Sequence, residues 1–97
     1  MGYARRNLAG MTTLFTVKCF WPGVTEDELR AAAARVGADD AAFRGAYLLS
    51  GDDLVLALFE GESAIAVKRA GERAGMPCER VIETVWIAPS SQPKEER

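Results

Sequence analysis

Leu54, Val55, Leu56, Ala57, Leu58 and Phe59 form an unbroken apolar run between Gly51-Asp52-Asp53 and Gly61-Glu62-Ser63. A strand covered on one side alternates apolar and polar residues, because successive side chains point to opposite faces. This run does not alternate, so the strand it forms is apolar on both faces and both need cover. The segment before it, Arg44–Ser50 (RGAYLLS), is a second apolar run across a short Gly/Asp turn. The two read as a β-hairpin.

The rest of the chain supplies what packs on that hairpin. Thr13–Phe20 (TLFTVKCF) is rich in β-branched and aromatic residues and reads as a strand, stopped by Trp21-Pro22-Gly23. Thr25 with Glu28 has capping-box spacing, and Glu26 and Asp27 place negative charge where the helix dipole favours it. Leu29, Ala32, Ala33 and Val36 then share one helix face, with Gly37 as the expected C′ residue. Ser63 is the expected N-cap of a second helix, whose inner face is Ala66, Val67, Ala70 and Ala74 and which Gly75 and Pro77 end. Gly71 inside it marks close packing, because glycine costs about 1 kcal/mol of helix propensity relative to alanine. Glu79–Ile87 (ERVIETVWI) is the final strand.

The order βαββαβ specifies an α+β ferredoxin-like sandwich: a four-stranded antiparallel sheet in the order 4-1-3-2 with both helices on one face. The single domain is expected over residues 12–88, with flexible tails at 1–11 and 89–97. Two helices cover one sheet face. A second copy of the chain is the simplest lid for the other, which makes the expected assembly a homodimeric α/β barrel with a cleft between the sheets.

Charge and composition exclude several functions. Lys plus Arg is 12 and Asp plus Glu is 14, a net charge of −2, so the basic footprint of a nucleic-acid binder is missing. The chain has no histidine, which removes catalytic histidine, haem histidine and every histidine metal site. Two cysteines are too few for a disulfide-built scaffold. Arg5 and Arg6 precede no apolar run of signal-peptide length, and no stretch approaches the roughly 20 apolar residues of a membrane span. The expected setting is cytoplasmic, with reduced thiols and no membrane partner. A P-loop, a dinucleotide fingerprint, a Cys-x-x-Cys and a Ser-His-Asp set are all missing, so no cofactor is implied.

A few side chains carry chemistry. Cys19 ends strand one and Cys78 opens strand four, and antiparallel pairing brings them within a residue or two of opposition. They read as buried small apolar residues, or as a redox pair or a soft-metal site. Lys18 interrupts an apolar central strand, where an ammonium needs a partner or water; Glu83 and Glu60 are the candidate partners. It reads as a salt-bridge residue or as an anion anchor in the cleft. Phe20, Tyr47, Glu60, Arg80, Glu83 and Trp86 complete the candidate ligand set. Lys18, Tyr47 and Glu83 are the catalytic candidates should the cleft be an enzyme site.

The segments TLFTVKCFWPGVTEDEL, DDLVLALFEGESAIAV and GERAGMPCERVIETVWI resemble a bacterial domain family of unknown function. That family includes a small actinobacterial nickel-binding protein with a dimeric ferredoxin-like fold. The resemblance covers most of residues 12–87; its most specific pieces are Phe59–Ser63 and Glu72–Pro77, which are structural punctuation. It implies a dimeric barrel-like scaffold. It carries no metal ligands, because the relative's sites contain histidine and this chain has none. The expected function is binding of a small organic ligand in an apolar cleft. The alternatives are a cofactor-independent isomerase, cyclase or monooxygenase-like enzyme, and metal binding through Cys19 and Cys78.

Overall fold

Four strands pair side by side because their apolar partners must leave water together. In the computed structural model, which describes residues 12–37 and 41–89, they are β1 (Thr13–Phe20), β2 (Ala41–Leu49), β3 (Leu54–Gly61) and β4 (Cys78–Thr84). The sheet is antiparallel throughout, in the order β2-β3-β1-β4. Helices α1 (Glu26–Ala34) and α2 (Ala64–Arg73) connect β1 to β2 and β3 to β4. This is the ferredoxin-like α+β arrangement, in the expected strand order. The stretches 1–11 and 90–97, within the expected tails, lie outside the described residues.

Both helix starts follow the chemistry of their caps. Thr25 Oγ1 accepts from Glu28 N at 3.1 Å while Glu28 Oε1 accepts from Thr25 N at 2.9 Å. Ser63 Oγ accepts from Ala66 N at 3.1 Å. Each such cap contributes about 1 kcal/mol by satisfying an amide that the helix leaves open. At the far end of α1 the expectation fails. The helix closes on Arg35 and Val36, whose amides donate to Ala32 and Ala33 carbonyls at 3.0 and 3.1 Å, and Gly37 is not left-handed. Gly75 does take the left-handed turn after α2, with φ +91°.

The core lies between the helices and one sheet face. Phe15, Val17 and Cys19 of β1 and Val55, Ala57 and Phe59 of β3 point into it, against Leu29 and Ala32 of α1 and Val67, Ala70 and Gly71 of α2. Phe43 meets Phe59 edge to face, with ring centroids 5.6 Å apart. No helix among the described residues is long and apolar enough to cross a membrane.

Two strand boundaries depart from expectation by more than one residue, each for a pairing reason. β2 starts at Ala41 rather than Arg44, because Ala41, Ala42 and Phe43 pair with Gly61, Glu60 and Phe59. Partner strands, not intrinsic propensity, hold those residues extended. β4 ends at Thr84 rather than Ile87, because Thr84 pairs with Leu14 and β1 supplies almost nothing beyond it. Val85, Trp86 and Ile87 therefore run out of ladder and stand 74%, 68% and 79% exposed.

The two helices sit differently on the sheet. Gly71, Ala70 and Ala74 bring α2 close. α1 buries only Leu29 and Ala32, and a groove of about 760 Å³ opens between it and β2. The small inner-face residues therefore bring the sheet close under α2 and not under α1.

Candidate functional site

The sheet face away from the helices carries most of the expected site. Directly paired residues of an antiparallel sheet point to the same side. Tyr47 pairs with Leu56, Leu56 with Lys18, and Lys18 with Arg80, so these four side chains form one rung across β2, β3, β1 and β4. Strands lie about 4.8 Å apart, so the rung spans roughly 14 Å. The rung above it is Leu49, Leu54 and Phe20; the rung below is Leu58, Thr16 and Ile82. A carpet of leucine thus surrounds a line of one phenol and two cations. Phe20 and Tyr47 are 55% and 59% exposed.

The charges on this face are arranged by two β-bulges. In β2 the register shifts between Phe43 and Gly45, and Gly45 has φ +137°, a conformation that favours glycine. The extra residue, Arg44, reaches Glu60 with Nη2 at 2.6 Å and Nε at 2.9 Å. In β4 the register shifts beside Cys19, and the extra residue there is Glu79. Glu79 Oε1 lies 4.0 Å from Lys18 Nζ, with both side chains well exposed, so the pair is weak. Arg80 forms no ion pair among the described residues. Thr16 Oγ1 and Thr84 Oγ1 lie 2.7 Å apart, and Thr84 Oγ1 donates onward to the Ile82 carbonyl at 2.8 Å.

The expected site therefore holds in part. Lys18, Phe20, Tyr47, Glu60 and Arg80 share the open face. Glu83 does not, because it pairs with Phe15, a core residue on the helix side, and sits exposed at that edge. Neither expected partner of Lys18 is its partner: Glu60 belongs to Arg44 and Glu83 to the wrong face, and the bulged Glu79 stands nearest. Trp86 neither lines the face within the ladder nor packs under a helix. Trp21, just past the end of β1, packs against the core with its amide donating to Asp53 O at 2.8 Å. Sequence reasoning missed the bulge at Gly45, for which a glycine inside a strand is the available signal.

The thiols meet more closely than expected. The bulge shifts the β1–β4 register by one residue and makes Cys19 and Cys78 direct partners. Both are free, Cys19 buried and Cys78 half-buried. The Cys78 thiol beside it, together with burial, raises the Cys19 thiol and keeps it protonated. The neighbouring Cys19 thiol lowers Cys78, helped by Lys68 and opposed by burial and Glu72. Among the described residues no group of three or more His, Cys, Asp or Glu side chains is placed to hold a metal.

An open-faced ferredoxin-like sheet with a polar rung set in leucine is the class that fold and site define. A solved structure from Streptomyces coelicolor A3(2), of the protein SCO4226, is similar to this chain at 29% identity with a TM-score of 0.64. The match covers 77% of this chain and 99% of that one. No protein-family model matches the chain, and no curated protein does.

Proposed function

We propose that the chain works as a homodimer, open sheet face against open sheet face, and binds a small apolar organic anion in the cleft between them. The observation that carries this reading is the rung Tyr47–Leu56–Lys18–Arg80. Two cations directly opposite on neighbouring strands repel, and an anionic group between them offsets that cost. The surrounding leucines suit an apolar body, and Tyr47 offers a hydroxyl at the other end of the rung.

The dimer half rests on unpartnered apolar surface. Aromatic side chains bury 150–250 Å² each, so the exposed parts of Phe20 and Tyr47 alone amount to roughly 250 Å². At about 25 cal/mol per Å² that contributes about 6 kcal/mol before association costs. Leu49 adds to it, and a second copy brings the same surface in return.

The test is a thermal-shift screen of aliphatic and aromatic carboxylates beside their neutral amides. Carboxylates are expected to raise the melting temperature of the chain and to lose that effect in Lys18→Ala/Arg80→Ala. Equal shifts from acids and amides overturn the anion anchor. The groove between α1 and β2 supports a second reading, since about 760 Å³ is the size of a small-molecule site and Phe43, Leu48 and Leu29 line it. Ala33→Trp fills that groove; loss of the shift in this variant alone moves the ligand there. The enzyme alternative keeps Lys18 and Tyr47 as acid and base candidates and loses Glu83 to the other face.

A further inference from the structure

We propose that Cys19 and Cys78 form a reversible intramolecular disulfide, a thiol-oxidation site that takes a small-molecule disulfide as its oxidant. The placement comes first. Direct partners on antiparallel strands have Cα atoms about 4.5–5.5 Å apart, inside the window a disulfide requires. Both side chains are turned to the helix side, where Cys19 is fully buried and Cys78 is half-buried. One sulfur is therefore reachable from solvent and the other only through it. Gly71 makes room: a β-carbon there would lie 2.9 Å from Cys78 Sγ.

The two thiols are also chemically unequal. Cys78 is the more readily ionised because the Cys19 thiol stands beside it and Lys68 favours its anion, whereas Cys19 stays protonated. The Val17 and Lys68 carbonyls lie 3.9 Å from the Cys19 and Cys78 sulfurs and fix neither of them strongly. A soft metal ion fits less well. Two thiolates with no third ligand among the described residues leave a tetrahedral site half empty.

The reaction balances in two exchanges. The Cys78 thiolate attacks one sulfur of the small disulfide, whose S–S bond breaks; a thiolate leaves and takes up a proton, and Cys78 carries a mixed disulfide. Cys19 then gives up its proton and attacks Cys78 Sγ, which expels the second small thiol. The protein loses two protons and two electrons, and the small disulfide takes them up to become two thiols. The new bond ties the start of β4 to β1 beside Lys18, Glu79 and Arg80.

The experiment uses the full, reduced chain equilibrated with oxidised and reduced glutathione at graded ratios. Free thiols are counted and intact mass is read. The expected result is that both thiols disappear together, with a mass loss of two hydrogens, no retained glutathione, and recovery in dithiothreitol. Cys19→Ala and Cys19→Ser are expected to stop at a glutathione adduct on Cys78, while Cys78→Ala keeps Cys19 reduced. A wild-type chain that retains two free thiols, accumulates a stable adduct, or cross-links between chains overturns the proposal. Should the Cys19 variants fail to fold, proteolysis of oxidised wild type decides it: a peptide joining Cys19 to Cys78 supports the site, and its absence refutes it.

Discussion

Gly71 in α2 and Cys78 at the start of β4 are shaped to one another, with no room for a methyl group between them. The first prediction concerns Gly71→Ala. Alanine gains about 1 kcal/mol of helix propensity, and forcing the sulfur aside costs about 1–3 kcal/mol, so the variant is expected to be less stable. In a Cys78→Ala background the obstruction is gone and the same change is expected to stabilise. Urea unfolding of the four proteins measures both steps; stabilisation by Gly71→Ala in the wild-type background would show that the contact imposes nothing.

Val55 and Leu56 are neighbours on β3 with opposite fates. Val55 is fully buried under the helices, and Leu56 lies on the open face. Val55→Asp places a carboxylate in the core and is expected to abolish folding. Leu56→Asp is expected to leave a folded chain that no longer self-associates. Circular dichroism and gel filtration read the two together. A folded Val55→Asp, or an unfolded Leu56→Asp, contradicts the assignment of faces.

Cys78 is expected to alkylate faster, and at lower pH, than an ordinary thiol, because the adjacent Cys19 thiol and Lys68 hold it below the usual thiol range. The sign follows from the cause. Cys19→Ala removes the neighbouring thiol that lowers Cys78 and is expected to move the rise in iodoacetamide rate to higher pH. An unchanged or downward-shifted profile in that variant means Cys19 does not assist the anion.

Nickel is expected to bind weakly or not at all. The chain has no histidine, and no cluster of three metal-type side chains occurs among the described residues. Calorimetry on untagged protein should find nothing tighter than about micromolar, near −8 kcal/mol. A stoichiometric nanomolar titration would direct attention to the thiols and nearby carboxylates.

Much of this fold was legible because its signals are local. Thr25 with Glu28, Ser63, Gly75 and the six-residue apolar run of β3 each act within a few residues, and together they order the elements. The strand order followed from crossover handedness. What was not legible depends on neighbours. The bulge that turns Glu79 toward Lys18 exists only in the pairing of β1 with β4, so the sequence pointed to Glu60 and Glu83 instead. Glu83 looked like a cleft residue until register placed it opposite Phe15. Val85–Ile87 has every strand propensity and lacks a partner strand, which propensity cannot report. The groove beside α1 is a matter of how far a helix of small side chains stands from its sheet, and periodicity alone carries no distance.

Everything proposed for the open face requires that a second chain cover it. Light scattering of the reduced chain across a dilution series down from about 100 μM is the most direct measurement, since a micromolar dissociation constant leaves dimer dominant at that concentration. The account predicts twice the 10.5 kDa chain mass at the top of the series. It also predicts a fall toward the monomer on dilution, and a monomer throughout for Leu56→Asp. A strictly monomeric mass at about 100 μM would contradict it, and with the dimer would go the cleft between the two sheets.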